Sequence, residues 1–348
     1  MVQKKPTLIK KTRNKIRYSI IIPMKKISDY FRTAIPYYER LTYKNFELII
    51  LPNADGTNEF KNIENVQIIN TGKVSPAIKR NIGAKHARGE ILAFIDDDAY
   101  PEKDWLENAE MVFDNINVVG IGGPGVLPKG ATFFQKLSNK VYALSSKFTG
   151  IRYEKGKKRE IDDWPTCNFL VRKKEFDNTG GFDSKYWGGE DTQICYSLIK
   201  SGKKIIYDPE VLVYHHPRAS LRNHLRQVLF WGMWRGFFMK LYPQNSRKLT
   251  FFMPLLFLSG LVIGGILSLI FKPISYIYMT LLGIYVLFLI ITGIRSRSSK
   301  MFLPVILLTF ITQIMYAVGM IRGLFAGEDG PTRDGMHSKE KLVTEKPK

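Results

Sequence analysis

The sequence predicts an α/β domain with a mixed, Rossmann-like sheet and helices on both faces, followed by an α-helical transmembrane region. Three observations carry this expectation. Short β-branched runs alternate with helical segments through the first half of the chain. Two carboxylate clusters, Asp96-Asp97-Asp98 and Glu190-Asp191, fall at the end of an apolar run and at the start of a helical segment. The acids then stop, with no Asp or Glu from Val211 to Gly327.

The elements follow in order. Tyr18 to Pro23 is a β-branched run closed by proline, and Phe46 to Leu51 is a second, closed by Pro52 and a turn at Asp55-Gly56. Val66 to Ile69 is a third, and Ile91 to Ile95 a fourth that ends in the triple aspartate. Uninterrupted apolar strands are buried on both faces, as in a parallel sheet. Helices are expected between them, over Asp29–Leu41, Pro76–Arg88 and Asp104–Phe113. Such alternation places ligands at the carboxyl ends of the strands. The stretch from Gly122 to Trp164 is irregular, with a basic segment Arg152–Arg159, and reads as a mobile loop or surface insertion. A strand at Asn168–Val171, a helix from Glu190 to Lys200 closed by Gly202, and strands at Lys204–Tyr207 and Val211–Tyr214 complete the domain.

The last third is different. Residues 249–271, 273–294 and 301–321 carry no charge, and each is long enough for the ~18–20 residues that span a bilayer. The basic residues between Arg218 and Lys248, set against a lone Lys272 in the first reversal, place residues 1–248 in the cytoplasm by the positive-inside rule. Three crossings then put the tail outside. Arg218, Arg222 and Arg226 recur every four residues among apolar and aromatic neighbours, the pattern of a helix lying in the membrane interface. The expected organisation is a basic tail (1–17), a catalytic domain (18–217), an interfacial region (218–248), three membrane helices (249–322) and a polar tail (323–348).

The chain has 348 residues and a net charge of +21, which favours anionic partners such as nucleotides or anionic lipid. The basic tail has no apolar h-region, so it reads as a disordered basic segment, with contact to acidic headgroups as an added role, rather than a secretory signal. No nucleic-acid motif occurs, and uncharged spans argue against a transporter. Cys167 and Cys195 match no metal spacing and read as reduced, structural thiols.

Asp96 and Asp98 are alternate residues of an extended segment, so they can present oxygens to one divalent cation, Mg²⁺ or Mn²⁺. A solvated acidic turn is the plain alternative. Glu190-Asp191 at a helix start is explained by capping alone, or by a general base held ionised and aimed. Gly188-Gly189 before it would let a substrate approach. His215 or His216 could complete the metal site. Lys79 and Arg80, ahead of the aspartate strand, are placed to meet a nucleotide phosphate or form a solvated basic face.

Together these pieces resemble family 2 glycosyltransferases of the GT-A fold. Ser19-Ile20-Ile21-Ile22-Pro23, Lys79-Arg80-Asn81-Ile82-Gly83-Ala84, Ile95-Asp96-Asp97-Asp98, Gly180-Gly181-Phe182-Asp183 and Gly189-Glu190-Asp191 run in the family's order over residues 17–240. The resemblance implies a nucleotide-sugar donor, inversion at the anomeric carbon, and a divalent cation (Mn²⁺ or Mg²⁺). It places Pro23, Asp55, Lys79, Arg80, Asp96 and Asp97 around the donor, and Asp96 and Asp98 on the metal, where His215 or His216 could join them. Asp191 becomes the base with Glu190 beside it, and Trp164, Thr166, Cys167, Asn168 and Gly189 line the acceptor side. Met24-Lys25-Lys26 and Asn53-Ala54-Asp55-Gly56 depart from the family pattern.

The expected acceptor is lipid-linked or membrane-associated, in cell-surface glycan or glycolipid synthesis. Rivals are a polyprenyl-phosphate sugar synthase, a processive synthase (whose Gln-x-x-Arg-Trp motif is missing) and a non-catalytic membrane-anchored binding protein. The apolar helices also leave room for oligomerisation.

Overall fold

The computed structural model describes residues 15–54, 65–149, 152–185, 188–328 and 330–331. The first elements are β1 (Tyr18–Pro23), α1 (Asp29–Glu39), β2 (Phe46–Leu51), β3 (Val66–Ile68), α2 (Pro76–His86), β4 (Ile91–Ile95), β5 (Ala99–Pro101), α3 (Trp105–Phe113), β6 (Val118–Gly122) and β7 (Gly125–Val126). Then come α4 (Phe133–Thr149), β8 (Arg159–Ile161), β9 (Asn168–Arg172), α5 (Lys173–Asn178), α6 (Glu190–Lys200), β10 (Lys204–Tyr207), β11 (Val213–His215), α7 (Leu221–Leu241) and the short α8 (Pro243–Ser246). Three long apolar helices close the chain: the first, Leu249–Ile270, the second, Lys272–Arg295, and the third, Ser299–Leu324.

The main sheet has the order β3-β2-β1-β4-β9-β6-β10-β8. Strands β1 to β4 are mutually parallel, and β9 runs antiparallel between β4 and β6. The sheet is therefore mixed. Its strands are apolar throughout because both faces are covered. Ile20 and Ile22 point to a core built with α1 and α3, while Ile21 points to one built with α2, α5 and α6. A second sheet, β5-β11-β7, brings the segments around Asp98 and His215 together.

Three expectations need correction. The irregular stretch contains a 17-residue helix, α4. Its Phe134, Leu137, Val141 and Leu144 recur at helical spacing and close against Met301, Val305 and Leu308 of the third apolar helix. The end of the basic tail is docked on the domain: Arg17 pairs with Glu90 and Glu110 at 2.6 and 2.8 Å. Residues 1–14 lie outside the described residues. The three arginines do not form one helical stripe either, since Arg218 precedes α7 and pairs with Asp98 at 3.2 Å.

Nor does α7 lie alone. It runs alongside the third apolar helix with backbones in near contact. A β-carbon on Gly232 or Gly236 would stand 2.2 Å from the carbonyl oxygen of Tyr316 or Met320. One on Gly319 or Gly323 would stand 2.2 or 1.9 Å from that of Leu229 or Met233. Small residues four apart on both helices permit this approach. His224, fully buried, ties the group together, with Nδ1 2.7 Å from Ser138 Oγ on α4 and Nε2 2.9 Å from Thr312 Oγ1. Gly323→Leu is expected to destabilise the protein by about 1–3 kcal/mol through overpacking. Thermal melts in detergent check this against Gly283→Leu, where a β-carbon meets nothing within 4 Å.

Candidate active site

Strand β4 carries the first acid cluster to the carboxyl edge of the sheet. Helix α6 delivers the second, its N-cap Gly189 in the left-handed region at φ 72°. Arg80 of α2 bridges them, donating from one terminal nitrogen to Glu190 Oε1 at 2.7 Å and from the other to Asp96 Oδ1 at 2.9 Å. All three side chains line one cavity.

Asp98 faces His215, whose Nε2 is 3.2 Å away, because β11 pairs with β5 so that His215 lies opposite Ala99. Burial opposes ionisation of Asp98, but His215 and Arg218 outweigh it and hold the carboxyl below its ordinary range. Ligand atoms of Asp96, Asp98 and His215 lie within 4.8 Å of one another. Two carboxylate oxygens and an imidazole nitrogen suit Mn²⁺ or a similar cation. His216 lies outside this trio, its ring 4.5 Å from that of Tyr30, while its backbone N–H donates to Asp98 O at 2.9 Å. Asp97, next in the run, is pushed up to about 7 by burial and by Asp98 and Asp96.

Asp191 also lines the cavity. Its Oδ1 accepts from the Thr192 N–H at 2.8 Å. Burial, together with Glu190 and Asp163, pushes its carboxyl up to about 7. Asp163 itself resists burial through Arg235 and Arg152 and is held at about 2. It receives Arg235 of α7 at 2.7 Å and the Thr192 hydroxyl at 3.0 Å, so α7 is joined to the start of α6. Sequence reasoning missed Asp163, Arg152 and Arg235. They belong to no motif, and only the fold brings them together.

Several residues expected at ligands are occupied otherwise. The Lys79 ammonium donates to Met24 O, Leu51 O, Asn53 Oδ1 and Thr71 Oγ1 at 2.7–3.0 Å. Burial pulls its pKa down to about 8. It thus ties strand ends together at the wall of the cavity, which it lines. Asn168 is fully buried, accepting from Trp105 Nε1 at 3.0 Å and donating to Val211 O at 2.8 Å. Trp164 lines the cavity but is only 1% exposed, wedged on Gly122 with its N–H on Gly123 O at 3.2 Å.

Gly188 and Gly189 line the cavity and also admit α7: β-carbons there would lie 2.5 Å from Phe230 Cζ and 2.0 Å from Phe238 Cε2. Pro23, Thr166 and Cys167 do line the cavity. Burial pushes the Cys167 thiol up, so it stays protonated, and Cys195 is likewise a buried free thiol. Asp55 lies outside the described residues.

The cavity, about 1890 Å³, runs from these acids past Arg218, Arg226 and Arg235 to Met253, Leu281 and Phe288 of the apolar helices.

The profile described as Glycosyl transferase family 2 matches residues 19–180. A relative from Methanococcus voltae, dolichyl N-acetyl-alpha-D-glucosaminyl phosphate 3-beta-D-2,3-diacetamido-2,3-dideoxy-beta-D-glucuronosyltransferase, is 23% identical over 331 residues, covering 89% of this chain and 97% of the relative. The glucosyl-dolichyl phosphate glucuronosyltransferase of Haloferax volcanii is 25% identical over 230 residues, 59% of this chain and 71% of that one. In fold, the chain is similar to a mannosyltransferase from Pyrobaculum calidifontis solved with GDP-Man and Mn²⁺. The TM-score is 0.62 at 13% identity, over 89% of this chain and 87% of that one. Strand order, acid clusters and these likenesses agree: the chain is a glycosyltransferase whose residues 19–180 match family 2, with the GT-A fold and C-terminal helices long and apolar enough to cross a membrane.

Proposed function

We propose that this enzyme moves a sugar, with inversion, from a nucleotide-sugar donor to a sugar hydroxyl on a lipid-phosphate-linked acceptor at the membrane surface. The carrying observation is the single cavity that joins Asp96, Asp98 and Asp191 to the apolar side chains of the membrane helices. A polar headgroup at one end and a polyprenyl chain at the other match such a lining. The names of the archaeal relatives, which describe dolichyl-phosphate-linked sugars, support the same acceptor class.

In this reading Asp191 takes the proton of the acceptor hydroxyl as it attacks the anomeric carbon. Asp96, Asp98 and His215 would hold a divalent cation, which supplies charge stabilisation for the departing diphosphate. Arg218, already on Asp98, keeps that carboxylate ionised. Arg80 keeps Asp96 and Glu190 aligned while Asp191 remains free of any ion pair among the described residues. A carboxyl with pKa near 7 is of use to a hydroxyl acceptor, whereas a bare lipid phosphate needs no base, so the polyprenyl-phosphate synthase reading ranks second.

The test is nucleoside diphosphate release by detergent-purified full-length protein. A panel of nucleotide sugars is offered with Mn²⁺, with and without a membrane lipid extract. Lipid-dependent release supports the proposal. Equal turnover with bare polyprenyl phosphate moves the assignment to the synthase. The two histidines should separate in the same assay. His215→Ala is expected to raise the Mn²⁺ concentration for half-activity by at least the ~10–100-fold that loss of an outer-shell partner already costs, and His216→Ala to leave it within a few-fold.

A further inference from the structure

We infer that the third apolar helix, Ser299–Leu324, does not cross the bilayer: it lies in the membrane surface against the catalytic domain, leaving two crossings and the C-terminus on the catalytic side.

Both halves of this helix are held by the catalytic body. Met301, Val305 and Leu308 meet α4. Thr312 meets His224, and Gly319 and Gly323 meet the α7 backbone. Just past its end, Lys240 of α7 donates to Ala326 O at 2.6 Å, and Gly330 abuts Trp234. Helix α7 carries Arg222, Arg226 and Arg235 along its length, so it cannot lie in hydrocarbon. A helix paired with it at backbone distance through its second half cannot leave for the far leaflet.

The other two apolar helices meet the third towards its two ends and join over its middle. They touch each other above its middle, where the Phe257 and Tyr285 rings are 4.2 Å apart. There Phe257 meets Phe310 and the Tyr285 hydroxyl donates to Gln313 Oε1 at 2.6 Å. From that point their roots diverge. The first runs back to Phe251, which clusters with Met320, and the second runs on to Gly293, which abuts Phe302. Met320 and Phe302 are about 27 Å apart along a helix at 1.5 Å per residue. A hairpin whose legs straddle a helix this widely stands across it. If the hairpin crosses the membrane, the third helix lies along it.

The exposed face of the third helix fits that position. Leu303, Leu307, Ile311 and Ile321 are exposed and fall on one narrow arc at 100° per residue, continued by Phe325 just past the helix end, as an apolar face set into the acyl boundary requires; exposed Phe302 stands off this arc, against Gly293. Charge agrees as well. With two crossings, Arg295, Arg297, Lys300, Arg322 and the lysines at 339, 341, 346 and 348 share the side of the basic catalytic domain. Only Lys272 remains at the far turn, as the positive-inside rule asks. Three crossings would place the tail lysines opposite.

The experiment fuses one protease-cleavable epitope tag to the full chain at three alternative places: before Met1, between Phe271 and Lys272, and after Lys348. Sealed vesicles of both orientations are treated with a protease that cannot cross the membrane. Unchanged thermal melts of each tagged protein in detergent show that the fold tolerates the tag. The expected result is that the two terminal tags are cleaved together and the internal tag is cleaved only in the opposite vesicles. Cleavage of the C-terminal tag with the internal one, and apart from the N-terminal one, overturns the inference in favour of three crossings. Cleavage of all three tags in one orientation overturns it too, by showing no crossing.

Discussion

Asp191→Asn should lower sugar transfer by about 10²–10⁴-fold, the range that a positioned general base contributes, while donor binding measured by calorimetry stays near that of the unaltered protein. The two readouts separate because Asp191 sits on α6, whereas the end of the cavity proposed for the donor is lined from β1, α2 and the strand-end aspartates. The variant also keeps the side-chain acceptor for the Thr192 N–H, so the start of α6 should hold. The sign of the pH dependence follows from the base role. The carboxyl must be ionised to accept a proton, and burial with Glu190 and Asp163 nearby sets its pKa at about 7. In the unaltered enzyme transfer should therefore fall roughly tenfold per unit as pH drops below that value, and level off above it. The small residual activity of Asp191→Asn should lose this ascending limb. A variant that keeps both full turnover and the limb removes Asp191 from the role.

Glu190 would be the alternative base, but its carboxylate is committed to Arg80 at 2.7 Å. Two neighbouring acids at one helix start thus have different surroundings, and that difference could not be read from Glu190-Asp191 alone. What the sequence does reveal is set by periodicity. The strands are continuous apolar runs because both sheet faces are buried, and the acids follow β4 because strand ends face ligands. Features created by pairing of distant segments stayed hidden. A helix-like repeat at Phe134, Leu137, Val141 and Leu144 is diluted by lysines and serines. It gains meaning only against Met301 and Val305. Gly232-x-x-x-Gly236 and Gly319-x-x-x-Gly323 are unremarkable until they face each other. Lys79 read as a phosphate ligand because it precedes the aspartate strand, or else as part of a solvated basic face. Here four acceptors converge on it from β1, β2 and the following loops. The third apolar helix passes every test of length and composition for a membrane span, and those tests contain no information about what lies beside it.

The second large effect is expected at Arg80. Among the described residues its guanidinium bridges the two acid clusters, and its side chain is 5% exposed, against 11% for Glu190 and 33% for Asp96. Arg80→Met would leave Glu190 as a buried carboxylate without its cation, beside Asp191, which already ionises with difficulty. Removing one partner of a buried pair costs about 3–5 kcal/mol, with Asp96 adding less because water reaches it. Arg80→Lys should recover little, since one ammonium cannot span two carboxylates as a planar fork does. If the loss comes from the stranded charge, neutralising it should restore stability, so Arg80→Met with Glu190→Gln is expected to melt well above Arg80→Met alone. Melting of Arg80→Met at the temperature of the unaltered protein would show that the bridge contributes no stability. A double variant no better than the single one would place the loss in packing around Phe182, over whose ring Arg80 lies at 5.9 Å, and not in electrostatics.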